Sequence, residues 1–100
     1  MKKITTLLIG LIGPAQAGGW DTDTDLTYNP ETRAWEGTIE LAADEFKFRA
    51  NDGWDINWGG TLDNLTQNGP NLKIETAGKY FIQFFPRCES KSYAIVTAIE

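Results

Sequence analysis

Three of the four tryptophans in this 100-residue chain stand among glycine, asparagine and aspartate rather than among apolar residues. They are Trp20, in Gly18-Gly19-Trp20-Asp21, and Trp54 and Trp58, in Gly53-Trp54-Asp55-Ile56-Asn57-Trp58-Gly59-Gly60. An indole in such company either caps the end of a core or shows its face to solvent. Exposed indoles beside Lys47, Arg49, Asn51 and Asn57 suit one class of ligand well. A pyranose has apolar C–H faces that lie on an aromatic ring, while its hydroxyls pair with Lys, Arg, Asn or Asp. An aromatic platform with a few convergent polar groups therefore fits a sugar better than an anion or a metal.

Other chemistries are poorly supplied. The chain has no histidine, which removes Ser-His-Asp and Cys-His catalysis and the usual zinc ligand sets. Asp52 and Asp55 are the nearest thing to a glycosidase pair, but they read as solubilising loop acids, and no enzyme is expected. Asp21, Asp23 and Asp25 alternate like the start of a calcium loop. The sixth position is then Leu26 instead of glycine and the twelfth is Thr32 instead of glutamate, so no metal and no cofactor are expected. Cys88 is alone, which excludes an internal disulfide and a CxxC knuckle. Nine basic against fourteen acidic residues, a formal charge of −5, leave no basic stripe for nucleic acid.

The elements that must position these residues are short strands. Clusters of turn residues separate apolar alternations from residue 20 onward, the spacing of an all-β sandwich. Residues 25–28 and 33–41 flank Asn29-Pro30-Glu31-Thr32, which suits a type I turn and hence a hairpin. In its second arm Trp35, Gly37, Ile39 and Leu41 share one face, so Trp35 is expected in the core. Phe46 and Phe48 should point inward and Lys47 and Arg49 outward. Residues 51–70 read as loop with at most a short strand near Trp58. Strands at 71–75, 79–85 and 92–99 complete the set, and no helix longer than a turn is expected.

The N-terminus supports two readings. Lys2-Lys3, the apolar run 4–12 and Ala15-Gln16-Ala17 imitate a secretory signal with an A-x-A site, and the run is too short to span a bilayer. The same run also fits a first strand with apolar residues on both faces, ended by Gly13-Pro14.

Taken in order, several segments resemble the repeated modules of SusE/SusF-type proteins, the starch-binding outer-membrane lipoproteins of bacterial starch-utilisation systems. These are Leu11-Ile12-Gly13-Pro14-Ala15-Gln16-Ala17-Gly18-Gly19-Trp20, Leu26-Thr27-Tyr28, Trp35-Glu36-Gly37, and Glu45-Phe46-Lys47-Phe48-Arg49-Ala50-Asn51-Asp52-Gly53-Trp54. Asn57-Trp58-Gly59-Gly60, the 71–74 strand and Ala77-Gly78-Lys79-Tyr80-Phe81-Ile82 continue the match. The chain is similar, more loosely, to starch-binding modules of pullulanases.

The resemblance implies an immunoglobulin-like antiparallel β-sandwich of about seven to eight strands, one domain over residues 1–100, with no catalytic activity. It implies a glucan site built from Trp20, Trp54 and Lys47. Arg49, Asn57, Trp58, Asn71 and Arg87 are further candidates, with Trp58 ranked below the other two indoles. Leu26 stands near the place where relatives carry a second aromatic. The resemblance also implies that 7–13 is the opening strand, since cleavage after Ala17 would delete a core element. The parent would be a surface lipoprotein that holds polysaccharide beside an uptake porin in the outer membrane. A structural spacer and a protein-interaction module that works through a sheet edge are the alternatives.

Overall fold

In the computed structural model, which describes residues 8–87 and 91–99, the alternation at Glu45–Ala50 becomes the strand on which the molecule is organised. Ten strands are present: β1 (Ile9–Gly13), β2 (Gly19–Asp25), β3 (Thr27–Asn29), β4 (Ala34–Leu41), β5 (Glu45–Ala50), β6 (Asn57–Thr61), β7 (Asn64–Gln67), β8 (Leu72–Lys73), β9 (Gly78–Phe85) and β10 (Tyr93–Ile99). They form two antiparallel sheets. The first runs β2-β1-β5-β6-β7, with β8 also on β5, and the second runs β10-β9-β4-β3. No helix occurs among the described residues, and none there is long and apolar enough to cross a membrane.

The two sheets meet in one core. Phe46 and Phe48 point inward from β5 as their alternation requires, and Phe48 stacks on Phe84 of β9 with centroids 4.4 Å apart and planes 3° from parallel. Ile9 and Leu11 of β1 and Ile82 of β9 are fully buried beside them. Trp35 of β4 packs against the same cluster, although it is only partly buried, and Tyr28 of β3 covers its outer side at 5.4 Å. The hairpin around Asn29-Pro30 forms as β3 and β4. Asn29 Oδ1 accepts from the Glu31 amide, and Arg33 closes the turn with a left-handed φ of 63°.

Two strands exceed the eight expected. The first is β2, which occupies the stretch read as a glycine- and aspartate-rich loop. The second is β7, which with β6 makes a hairpin inside the segment read as loop. That hairpin brings Trp58 and Leu65 into the core, at 8% and 3% exposure. Gly59 is required there, because a Cβ would lie 2.0 Å from the Pro70 carbonyl oxygen and 2.8 Å from that of Gly69. The returning chain crosses directly on the backbone of β6. The opening strand forms over Ile9–Gly13 between β2 and β5. Residue 7, the start of the expected strand, and Cys88 lie outside the described residues.

Candidate functional site

Strand parity decides which side chains reach the outer face of the first sheet. Phe46, Phe48 and Ala50 face the core, so Lys47 and Arg49 face away from it. Across the ladder Ile12 lies opposite Lys47, Gly10 opposite Arg49 on one side and Asn57 opposite Arg49 on the other. Asp25 of the edge strand pairs with Gly10, and Asp23, two residues away, shares that face.

This face is not open to solvent. Lys47 and Arg49 point outward as expected but are only 9% and 6% exposed. The cover is the 51–56 loop. Asn51 and Asp52 take left-handed conformations there, φ 56° and 55°, and turn the chain back over the sheet. The loop is rooted by Asn51, whose amide donates to the Leu8 carbonyl (2.6 Å) and whose Oδ1 accepts from the Leu8 amide (3.0 Å). At its far end the Ala50 amide donates to the Ile56 carbonyl. Trp54 thereby sits over β5, its ring centroid 4.8 Å from the Arg49 guanidinium carbon and 5.9 Å from Lys47 Nζ.

Trp20 arrives from the edge strand. Its ring meets that of Trp54 at a centroid distance of 5.9 Å and an interplanar angle of 44°. Both remain open to solvent, 42% and 48% exposed. The turn that delivers Trp20 is pinned by Gln16, which is buried at 3% exposure. Gln16 Nε2 donates to the carbonyls of Gly19 (2.7 Å) and Thr22 (2.8 Å), and its Oε1 accepts from the Gly18 amide and the Thr24 hydroxyl. The sequence offered no sign of this role, since one glutamine in a turn is unremarkable until its four partners are known.

The charges around the platform are unequal in availability. Arg49 donates through Nε to both carboxylate oxygens of Asp23, at 3.0 and 2.8 Å, and through Nη2 to Oδ1. These bonds raise the guanidinium pKa further, against the opposing effect of burial. Lys47 has no carboxylate partner among the described residues, and burial pushes its pKa below the usual lysine range. Asp25 is raised above an ordinary aspartate, by desolvation first and then by the like charges of Asp52 and Asp23. Asp21, Asp23 and Asp25 thus line one face of a strand, and Asp23 is committed to Arg49. No group of three or more candidate ligands among the described residues is arranged to hold a metal ion.

The remaining candidates separate from the platform. Trp58 turns inward and packs edge-on against Phe84 at 4.9 Å, so it belongs to the core and not to a surface site. Asn57 is 4% exposed; its Nδ2 donates to the Trp54 carbonyl and to Asn68 Oδ1, both at 3.0 Å, and so it anchors the loop instead of facing a ligand. Its own Oδ1 is buried without a partner among the described residues. Asn71 lies at the other end of β5, where it donates to Glu45, away from the Arg49 end that Trp54 covers. Arg87 follows β9 of the second sheet and lies over the stacked rings of Phe85 and Tyr93, at 5.5 and 5.7 Å. Leu26 points into the core at 5% exposure. What stays together is Trp20, Trp54, Lys47 and Arg49.

Comparison with known proteins yields no match to a family model, a curated protein or a solved structure.

Proposed function

We propose that the protein is a non-catalytic carbohydrate-binding module whose platform, Trp20 and Trp54 with Lys47 beside them, takes a starch-type α-glucan. The observation that carries this reading is the pair of exposed indoles in contact at a 44° tilt. Exposed aromatic faces are costly to leave in water and are retained where a ligand with apolar faces covers them. Successive rings of an α-1,4-glucan turn relative to one another and suit two tilted faces, whereas a flat β-glucan ribbon suits coplanar ones. Lys47, 9% exposed beside Trp54 and without a carboxylate partner among the described residues, would supply a donor for sugar hydroxyls. The resemblance to SusE/SusF-type modules supports the same reading, in which the module would belong to a bacterial surface protein for glycan uptake. A shallow platform buries little ligand, so affinity per module is modest and several modules in series would supply avidity.

The buried Leu26 favours the alternative, a structural spacer of the same fold, because the position where relatives add an aromatic here faces inward. Affinity electrophoresis through gels containing starch, pullulan, xylan or no polysaccharide separates the two. Retardation by starch and pullulan that is lost in Trp20→Ala and in Trp54→Ala supports the module. Equal mobility in all four gels leaves the spacer.

A further inference from the structure

The sequence offers Arg49 as a further candidate contact, a cation beside exposed indoles, and the structure gives it different work. Arg49 is 6% exposed, lies under the exposed Trp54 ring and spends Nε and Nη2 on Asp23. A sugar on the solvent face of Trp54 would have the indole between itself and that charge. We propose that Arg49 and Asp23 are positioning residues that hold the Trp54 ring in its working orientation before ligand arrives. This rests on the reading of Trp20 and Trp54 as the binding platform.

The need for such a device follows from where Trp54 stands. It belongs to a loop and its ring is nearly half exposed, so core packing does not fix its rotamer. A cation against an indole face is attractive, and more so when water is excluded from between them. An unrestrained arginine could not supply this steadily, because its long side chain would sample many rotamers. A carboxylate that meets its fork removes that freedom. Asp23 reaches the fork across β1 because residue 10 has no side chain. A Cβ on Gly10 would come within 2.9 Å of the Asp23 Cβ and 3.0 Å of Oδ2. The series Gly10, Asp23, Arg49, Trp54 thus connects the sheet backbone to the ring that meets Trp20. A platform ordered beforehand loses less conformational freedom on binding, and so binds more tightly for the same contacts. Asp23 cancels the charge of Arg49, whereas Lys47, also covered by the loop, has no carboxylate partner among the described residues.

The test reads the platform without any sugar present. Two indoles at this distance and tilt should give an exciton couplet in the ultraviolet circular dichroism of the unliganded protein, and Trp20→Phe should abolish it. Arg49→Met and Asp23→Asn should lose most of the couplet and bind maltoheptaose about tenfold more weakly or worse, a loss of about 1.4 kcal/mol per decade. Arg49→Lys, a cation without the fork, should regain part of both signals. Lys47→Ala should bind more weakly with the couplet intact. Where a single variant leaves its partner charge buried and does not fold, the double variant Asp23→Asn/Arg49→Gln is measured instead, with the same readouts deciding. A full couplet in the arginine and aspartate variants overturns the proposal, whatever happens to binding. A couplet that collapses as described, in a protein whose wild type does not bind maltoheptaose, leaves the positioning intact and removes the glucan reading.

Discussion

Trp54 and Trp58 are four residues apart in the same glycine-rich stretch, and replacing each by alanine should have opposite consequences. Trp58 is 8% exposed and packs edge-on against Phe84, so nearly its whole side chain is out of water. A buried tryptophan withdraws roughly 200 Å², worth about 5 kcal/mol at about 25 cal/mol per Å². Alanine keeps the Cβ and the site relaxes in part, which brings the expected cost to about 3–5 kcal/mol. At about 4–8 °C per kcal/mol for a domain of this length, the melting temperature should fall by about 12–40 °C. Domains of this kind have about 5–15 kcal/mol in total, so Trp58→Ala should sit near the edge of folding at 37 °C. Trp54 is 48% exposed and lies on Arg49 and Trp20. Its removal forfeits roughly half that area and the contacts with two cations, reduced to about 1–2 kcal/mol because the loop relaxes around the gap and the two cations regain water. Thermal melts followed by far-ultraviolet circular dichroism, with starch gels run in parallel, make the comparison. Trp58→Ala should melt early, while Trp54→Ala should melt only about 4–16 °C below wild type and lose its retardation. Equal falls in melting temperature would show that Trp54 is a core cap, and the placement of the site would be wrong.

Two further outcomes follow from local geometry. Asp25 holds its proton more tightly folded than unfolded, so its contribution to stability falls as pH rises from about 3.8 through its raised folded value. Asp25→Asn should therefore stabilise the protein at pH 7, by less than about 1 kcal/mol for so exposed a group, and should change nothing at pH 3 in urea titrations. Gly59→Ala forces a Cβ onto the Pro70 and Gly69 carbonyls and should cost about 1–3 kcal/mol or more, whereas Gly53→Ala, whose Cβ comes no nearer than 3.8 Å to Asn51 O, should be near neutral by the same urea assay.

Where side-chain alternation was strong, the fold was legible. Glu45–Ala50 alternates aromatic with basic residues and forms a strand with those bounds. Pro30 after Asn29 marks a turn that the hairpin makes. The two unforeseen strands lack that contrast. In β2 the alternation was present as Asp21, Asp23 and Asp25 with Thr22 and Thr24 between, but both sets are polar, and polar residues between glycines read as loop. The 57–67 hairpin is dense in glycine and asparagine, residues depleted from strands on average. Its strands persist because Trp58 and Leu65 are buried on one side and because β5 offers a ladder to pair with. Propensity is a property of the segment alone, whereas that ladder is supplied by residues about ten positions away.

The sequence by itself determined what chemistry is available. Without histidine or a second cysteine, the chain lacks the residues of Ser-His-Asp and Cys-His catalysis and of the usual zinc ligand sets, and the excess of acid disfavours nucleic acid. It also determined that Lys47 and Arg49 share one face of β5, because a strand has a period of two. Only the tertiary structure decided what lies on that face. Trp54 returns over it by way of two left-handed residues, Trp20 joins from the edge strand, and Trp58 turns inward. Arg49 meets Asp23 from 26 residues earlier in the chain, which separates it from Lys47 although the two are neighbours on the same strand. Periodicity assigns a side chain to a face, but whether that side chain is exposed, paired or covered depends on segments brought there by long-range pairing. No local pattern records those encounters.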